Sequence, residues 1–190
     1  MSLKYLLKGQ MSFMSKKGYN VVMISSDGKE LKEVIEAEKC NHFIIPLTRK
    51  ITPLKDLNAV YKLYILLRQQ KPDIVHTHTP KAGIIGMLAS YIAKVPIRIH
   101  TVAGLPLMEV SGLKRCILNI VERLTYSFST KVYPNSYGLK KIILEHRFSK
   151  ENKLKVIGKG SSNGIDTSYF DPKLFSIKDN EDLKTNLGIK

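Results

Sequence analysis

The stretch Leu54–Ala93 reads LKDLNAVYKLYILLRQQKPDIVHTHTPKAGIIGMLASYIA. Leu54, Leu57, Val60, Tyr61, Tyr64 and Leu67 recur with helical period, and Lys55, Asp56, Lys62 and Arg68 fall off that stripe. Lys71-Pro72-Asp73 is a turn that ends the helix. Ile74–His76 then reads as a short buried strand, and Pro80 opens a second helix, Lys81–Ala93, at a first turn where its missing N–H costs nothing. Helix, strand and helix joined this tightly are the repeating unit of a parallel sheet with right-handed crossovers.

The same alternation extends in both directions. Val21–Ser25 (VVMIS, closed by Ser26-Asp27-Gly28), Phe43–Leu47, Ile97–Val102, Lys131–Pro134 and Leu154–Ile157 read as further strands. Leu3–Lys17, Lys29–Lys39, Leu113–Phe128 and Leu139–Phe148 read as the helices between them. The expected fold is α/β: a doubly wound, Rossmann-like parallel sheet with helices on both faces. Residues 1–170 make one domain. Residues 171–190 (DPKLFSIKDNEDLKTNLGIK) are polar and weakly helical, and read as a linker towards a further domain. Such sheets normally start with a strand, whereas this chain starts with a helix, so the first strand is expected to lie outside it.

Composition bounds the partners. Apolar residues make up 43% of 190 and charged residues 25%, an ordinary globular mix. The longest apolar stretch, near Ile84–Ala93, is too short to span a membrane, and Met1–Leu7 lacks the apolar core and cleavage site of a signal peptide. Cys40 and Cys116 have no metal-type spacing and read as free thiols in a reducing cytoplasm. The net charge is +15, from 31 basic and 16 acidic residues, which favours an anionic partner. The charge is dispersed, with neither zinc-finger spacing nor an aromatic RNA-stacking motif, so nucleic acid is not the expected ligand.

Ligands of doubly wound sheets bind beyond the carboxyl ends of the strands. After Ile74–His76 come Thr77, His78, Thr79, Pro80 and Lys81. His76 and His78, two apart in extended chain, point the same way. The helix N-terminus behind Thr79 together with Lys81 makes an anion site suited to a diphosphate. Gly104, after the next strand, lets backbone approach a ligand closely. Asn135-Ser136 caps a helix beside the same crevice. Gly158, Gly160 and Gly164 belong to a loop without the Lys-Ser/Thr close of a phosphate cradle, and no G-x-G-x-x-G occurs. His76, His78 and His100 could geometrically share a zinc ion, but no cysteine or carboxylate nearby in sequence completes the set, so no metal is expected. His42 and His146 read as surface residues.

HTHTPKAG at His76–Gly83, RIHTVAGLP at Arg98–Pro106, VYPNS at Val132–Ser136 and SSNGID at Ser161–Asp166 occur in order at strand ends. Together they resemble the N-terminal domain of family-4-type glycosyltransferases, nearest to bacterial enzymes of capsular and surface polysaccharide assembly. The resemblance implies half of a GT-B architecture, with a nucleotide-sugar held mainly by a second domain and a lipid-linked glycan acceptor held by this one. It implies a metal-independent, cofactor-free hexosyltransferase in which this stretch alone is inactive. His78 matches the family histidine that reaches the transferred sugar. His76, Thr79, Lys81, Gly104, Asn135, Ser136 and Asn163 are the implied substrate contacts, with Asn163-Gly164-Ile165-Asp166 leading to the hinge. A family carboxylate near the helix proline is threonine here. The rival readings are a non-catalytic basic nucleic-acid module and a fragment of a two-domain sugar-nucleotide epimerase. Leu105-Pro106-Leu107-Met108 is an apolar run followed by Lys114 and Arg115. An apolar tip flanked by cations, here Leu107, Met108, Lys114 and Arg115, predicts an interfacial anchor on an anionic membrane surface. That places the protein in the cytoplasm, peripheral on the inner face of the bacterial cell membrane.

Overall fold

A computed structural model describes residues 2–48, 52–161 and 167–189. The strands are β1 (Val22–Ser25), β2 (Asn41–Ile44), β3 (Ile74–Thr77), β4 (Ile97–Val102) and β5 (Lys131–Pro134). The helices are α1 (Ser2–Leu6), α2 (Gln10–Lys16), α3 (Leu31–Glu38), α4 (Pro53–Gln70), α5 (Pro80–Ile92), α6 (Gly112–Phe128), α7 (Tyr137–Glu145) and α8 (Ile177–Asn186). All strand pairings are parallel, as the alternation of strand and helix requires. The pairing falls into two sheets, β1-β2 and β3-β4-β5, rather than one. The expected strand at Leu154–Ile157 is reduced to one bridge, Val132 to Leu154.

The expected single helix Leu3–Lys17 is two helices. Gly9 sits in the left-handed region (φ 76°) and breaks it. The carboxylate of Glu38, at the end of α3, accepts the N–H groups of Gly9 at 2.5 Å and Ser12 at 2.9 Å. Buried Glu38 therefore supplies from a distance the cap that α2 lacks locally.

The main core lies between α4, α5 and the sheet, with Ala59, Leu63, Leu67, Ile85, Ala89 and Val95 buried together. A second cluster joins Val102, Leu107, Tyr126, Val132, Ile143 and Phe148. The buried face of α4 is Ala59, Val60, Leu63, Leu66 and Leu67. Leu54, Leu57 and Tyr61, which share a period with the core residues in sequence, are exposed. The helix is apolar on two faces, and periodicity alone merges them. Gly83 and Gly86 let α5 lie directly on the strands: a Cβ at Gly83 would stand 2.7 Å from His100 Cε1, and one at Gly86 2.6 Å from Thr77 Cγ2. The segment around α8 has a capping box of Ser176 and Asp179 and no buried residue in the helix.

Candidate functional site

The carboxyl ends of β3, β4 and β5 open into a cavity of about 630 Å³. Its floor is His76 and His78 from β3 and its end, Thr101 from β4, and Tyr133, Pro134 and Asn135 from β5. One wall is the turn between α1 and α2, with Lys8, Gly9 and Gln10, and the other includes Gly160 and Ser161. No carboxylate lines it among the described residues, and Lys8 is its one cationic side chain there.

His76 and His78 lie side by side, with ring centroids 4.0 Å apart, as extended-chain period requires. His76 Nε2 shares a 2.8 Å hydrogen bond with the Thr101 hydroxyl. Among the described residues, no hydrogen bond engages the His78 imidazole, so both of its nitrogens remain for a ligand. Burial lowers His78 from the ordinary 6.5 to about 4. His76 is also lowered, by the protein packed around it first and then by His78 and His100. Its side chain opens onto the cavity. Two neutral imidazoles face the crevice at pH 7, each able to donate one hydrogen bond and accept another.

His100 does not join them. It is one residue out of phase, points to the opposite face of the sheet, and is 2% exposed. Its Nδ1 bonds the Thr77 hydroxyl at 2.8 Å, and burial lowers it to about 4. His100 is a core residue wedged under α5, and the three-histidine zinc arrangement is ruled out by this geometry. Among the described residues no group of three or more His, Cys, Asp or Glu could hold a metal ion.

Other expected contacts separate in the same way. Thr79 is the extended N-cap of α5. Lys81 turns to Asp56 on α4, forming a salt bridge, and lies outside the cavity lining. Burial alone would raise the Asp56 carboxyl, but hydrogen bonds from Lys81 and Thr52 hold it below its usual value. The anion site expected at this helix start therefore has its cation engaged by a carboxylate. Ser136 caps α7, accepting the Leu139 N–H at 3.1 Å, and is likewise outside the lining. Gly104 faces open space, since a Cβ there would meet nothing within 4 Å. Asn135 reaches the cavity, and its carbonyl accepts the Ser161 N–H at 2.6 Å. Asn163 and the rest of its motif lie outside the described residues.

The structure adds residues that the strand-end search does not reach. Lys8, Gly9 and Gln10 arrive from the helical start of the chain, and the signal for them is the glycine inside an otherwise helical run. Gly160 (φ 97°) presses against the Asn135-Ser136 turn, where a Cβ would stand 2.5 Å from the Asn135 carbonyl oxygen. Leu105 and Leu107 are corrected. Leu107 is 1% exposed in the second core cluster, so the apolar run is not a free tip. Met108 reaches the surface, Lys114 is exposed, and half-buried Arg115 points an N–H at the Met108 sulfur. His42 and His146 are half-buried: His42 pairs with the Ser25 hydroxyl at 2.9 Å, and His146 stacks on Phe148.

A parallel α/β domain with a crevice beyond its strand ends, floored by two neutral imidazoles, is of the Rossmann-like class. The glycosyl transferase 4-like family profile matches residues 3–136, and the chain belongs to that family. It is 42% identical over 165 residues to the capsular polysaccharide biosynthesis glycosyltransferase CapM of Staphylococcus aureus, covering 87% of this chain and 43% of CapM. It is 30% identical over 177 residues to the Escherichia coli UDP-Gal:alpha-D-GlcNAc-diphosphoundecaprenol alpha-1,3-galactosyltransferase, covering 90% of this chain and 43% of that enzyme. The fold also matches Anabaena Alr3699/HepE in complex with UDP and glucose, with a TM-score of 0.65 at 18% identity over 94% of this chain and 45% of that one. The chain thus spans less than half the length of the curated relatives it matches.

Proposed function

We propose that this chain is the acceptor-binding half of a glycosyltransferase that moves a sugar from a nucleotide-sugar to a lipid-linked glycan in polysaccharide biosynthesis. The observation that carries this reading is the pair of neutral imidazoles, His76 and His78, on the floor of the strand-end cavity. The relatives' names supply the reaction class, and that of the Escherichia coli relative supplies a diphosphate-linked acceptor.

In this reading the cavity takes the acceptor sugar beneath the donor. His78 hydrogen-bonds a sugar hydroxyl through an unengaged nitrogen, and Asn135 lines the same cavity beside it. Lys8, on the cavity wall, supplies the cation for an acceptor phosphate in this reading. A histidine this hard to protonate is suited to orientation and not to proton storage, so catalysis rests on positioning and on stabilising the leaving phosphate. The leaving phosphate itself takes the acceptor proton. No metal or organic cofactor takes part. The protein works in the cytoplasm at the inner face of the cell membrane, where a lipid-linked diphosphate is presented.

The test uses the 190-residue chain. A soluble short-chain GlcNAc-diphospholipid should bind it, as followed by calorimetry, and His78→Ala should weaken that binding about ten-fold, the worth of one hydrogen bond to a charged or well-ordered partner. His42→Ala should leave it unchanged. Mixed with UDP-galactose or UDP-glucose, the chain alone should transfer nothing. Equal effects of the two histidine changes would sink the site, and turnover by the chain alone would sink the two-half architecture.

A further inference from the structure

The backbone ladder between β3 and β4 ends where the site begins. Its last two registered pairs are His76 with Ile99 and Thr77 with His100. His78 is the first residue beyond the strand, and Thr79 is already the N-cap of α5. An imidazole just past a strand end, with no hydrogen bond of its own among the described residues, has no local reason to hold one direction. Two side-chain bonds at the last ladder positions supply one, and they lie on opposite faces of the sheet. On the cavity face, His76 Nε2 meets the Thr101 hydroxyl at 2.8 Å. On the core face, the Thr77 hydroxyl meets His100 Nδ1 at 2.8 Å and reaches the Ile99 carbonyl at 3.5 Å. Consecutive residues of β4, His100 and Thr101, thus grip consecutive residues of β3, Thr77 and His76, from below and from above.

The core-side pair is shut off from water, with Thr77 7% and His100 2% exposed, so each polar group depends on the other for its partner. Helix α5 rests on both members. A Cβ at Gly86 would stand 2.6 Å from Thr77 Cγ2, and one at Gly83 2.7 Å from His100 Cε1. The Gly83 N–H also returns to the Thr79 carbonyl at 2.6 Å. The chain therefore leaves the pair at Thr77, passes through His78, and comes back onto the pair at Gly83 and Gly86. His78 is held from both sides by two buried side chains that do not line the cavity themselves. Apolar side chains of the same size would pack there without needing a partner, whereas a buried imidazole is tolerated only against one. A buried polar pair that is fully satisfied fixes a single arrangement, which an apolar pair does not.

We infer that Thr77, His100 and Thr101 are positioning residues: the crossed Thr77–His100 and His76–Thr101 bonds set the direction in which the His76 and His78 imidazoles face the cavity. That they thereby tune acceptor affinity rests on the acceptor reading above, whereas the direction of the rings does not. Thr77→Val removes the core-side hydroxyl at nearly constant volume, and Thr77→Ser keeps it. Nitrogen–proton correlation spectra of the imidazoles in the ligand-free 190-residue chain read the rings directly. In Thr77→Val the His100 and His78 signals should shift, with His78 broadened by exchange among orientations, while His42 and His146 stay in place. Thr77→Ser should keep the parent spectrum, and Thr101→Val should shift the His76 signals. With the soluble GlcNAc-diphospholipid, Thr77→Val should weaken binding by about three- to ten-fold, no more than His78→Ala does, and Thr77→Ser should restore it. In a His78→Ala background Thr77→Val should have almost no further effect, because it acts through that ring. Should Thr77→Val not fold, Thr77→Ala, which leaves room for a water at His100 Nδ1, is read in the same way. The inference is overturned if the His78 signals ignore the loss of the hydroxyl, or if the loss of affinity is as large without His78 as with it. A lower urea midpoint with both readings unchanged also overturns it, since the pair would then serve packing alone. If the parent chain binds no analogue, the acceptor reading fails and the spectra alone decide the positioning.

Discussion

Replacing Gly83 with alanine tests how closely α5 rests on the sheet. In an ordinary helix interior the change stabilises by about 1 kcal/mol, because glycine is the poorer helix former. Here the new methyl would stand 2.7 Å from His100 Cε1, 3.1 Å from Thr125 Cγ2 and 3.2 Å from His100 Nδ1. Carbon atoms in contact prefer about 3.5–4.0 Å, so the ring must move by about 0.8 Å or more. It is not free to do so, because its Nδ1 is bound to the Thr77 hydroxyl at 2.8 Å and the ring is buried against Tyr126. Overpacking of this kind costs about 1–3 kcal/mol, which exceeds the helix gain. The expected net loss is about 1–2 kcal/mol, read as a lower urea midpoint with an unchanged slope. Gly104→Ala is the control, since open space surrounds that position, and should stay within about 0.5 kcal/mol. In a His100→Ala background the nearest obstacle is gone and only Thr125 Cγ2, at 3.1 Å, has to give, so most of the loss from Gly83→Ala should disappear. A Gly83→Ala chain as stable as the parent would show that α5 does not rest on His100 as described.

Two further outcomes are expected. His100, lowered by burial from 6.5 to about 4, favours the neutral ring in the folded state, so its contribution is fully present above about pH 6.5 and is lost as pH falls towards 4. Between pH 7 and 5 that amounts to about 2 kcal/mol for this one group; urea melts at the two values should show it, and a His100→Gln chain with the same slope would refute it. Glu38→Ala leaves the Gly9 and Ser12 N–H groups without their acceptor, at about 1–3 kcal/mol, and should speed hydrogen exchange at those two amides and loosen the turn that walls the cavity. Unchanged exchange there would mean that the carboxylate does not hold the turn.

What was legible in the sequence, and what was not, divides along a physical line. Strand and helix identity depends on local period and punctuation, so β3, β4, β5, α4, α5 and α6 stand within a residue or two of where the alternation puts them. The direction of His76 and His78 was legible for the same reason, because a period of two is a property of any extended chain. Pairings between distant segments carry no local signal. Nothing near Lys81 announces Asp56, 25 residues earlier, and nothing near Gly9 announces Glu38, 29 residues later. The geometric option that His76, His78 and His100 share an ion, set aside in the sequence for want of a further ligand, falls to a phase difference of one residue: His100 belongs to the other face of its strand, which becomes evident only once its register with Thr77 is known. The faces of α4 and α6 expose a deeper limit. Periodicity finds an apolar stripe and assigns it to the core, because water is assumed to be the only alternative. On α6 the assumption inverts the helix, since Leu113, Ile117, Ile120 and Leu124 lie outward while Glu122 and Tyr126 lie inward. The pattern alone cannot choose which face of such a helix is enclosed. Packing chooses: α5 lies against the other face, where Gly83 approaches Thr125, and it is Glu122, Thr125 and Tyr126 that the neighbouring elements bury.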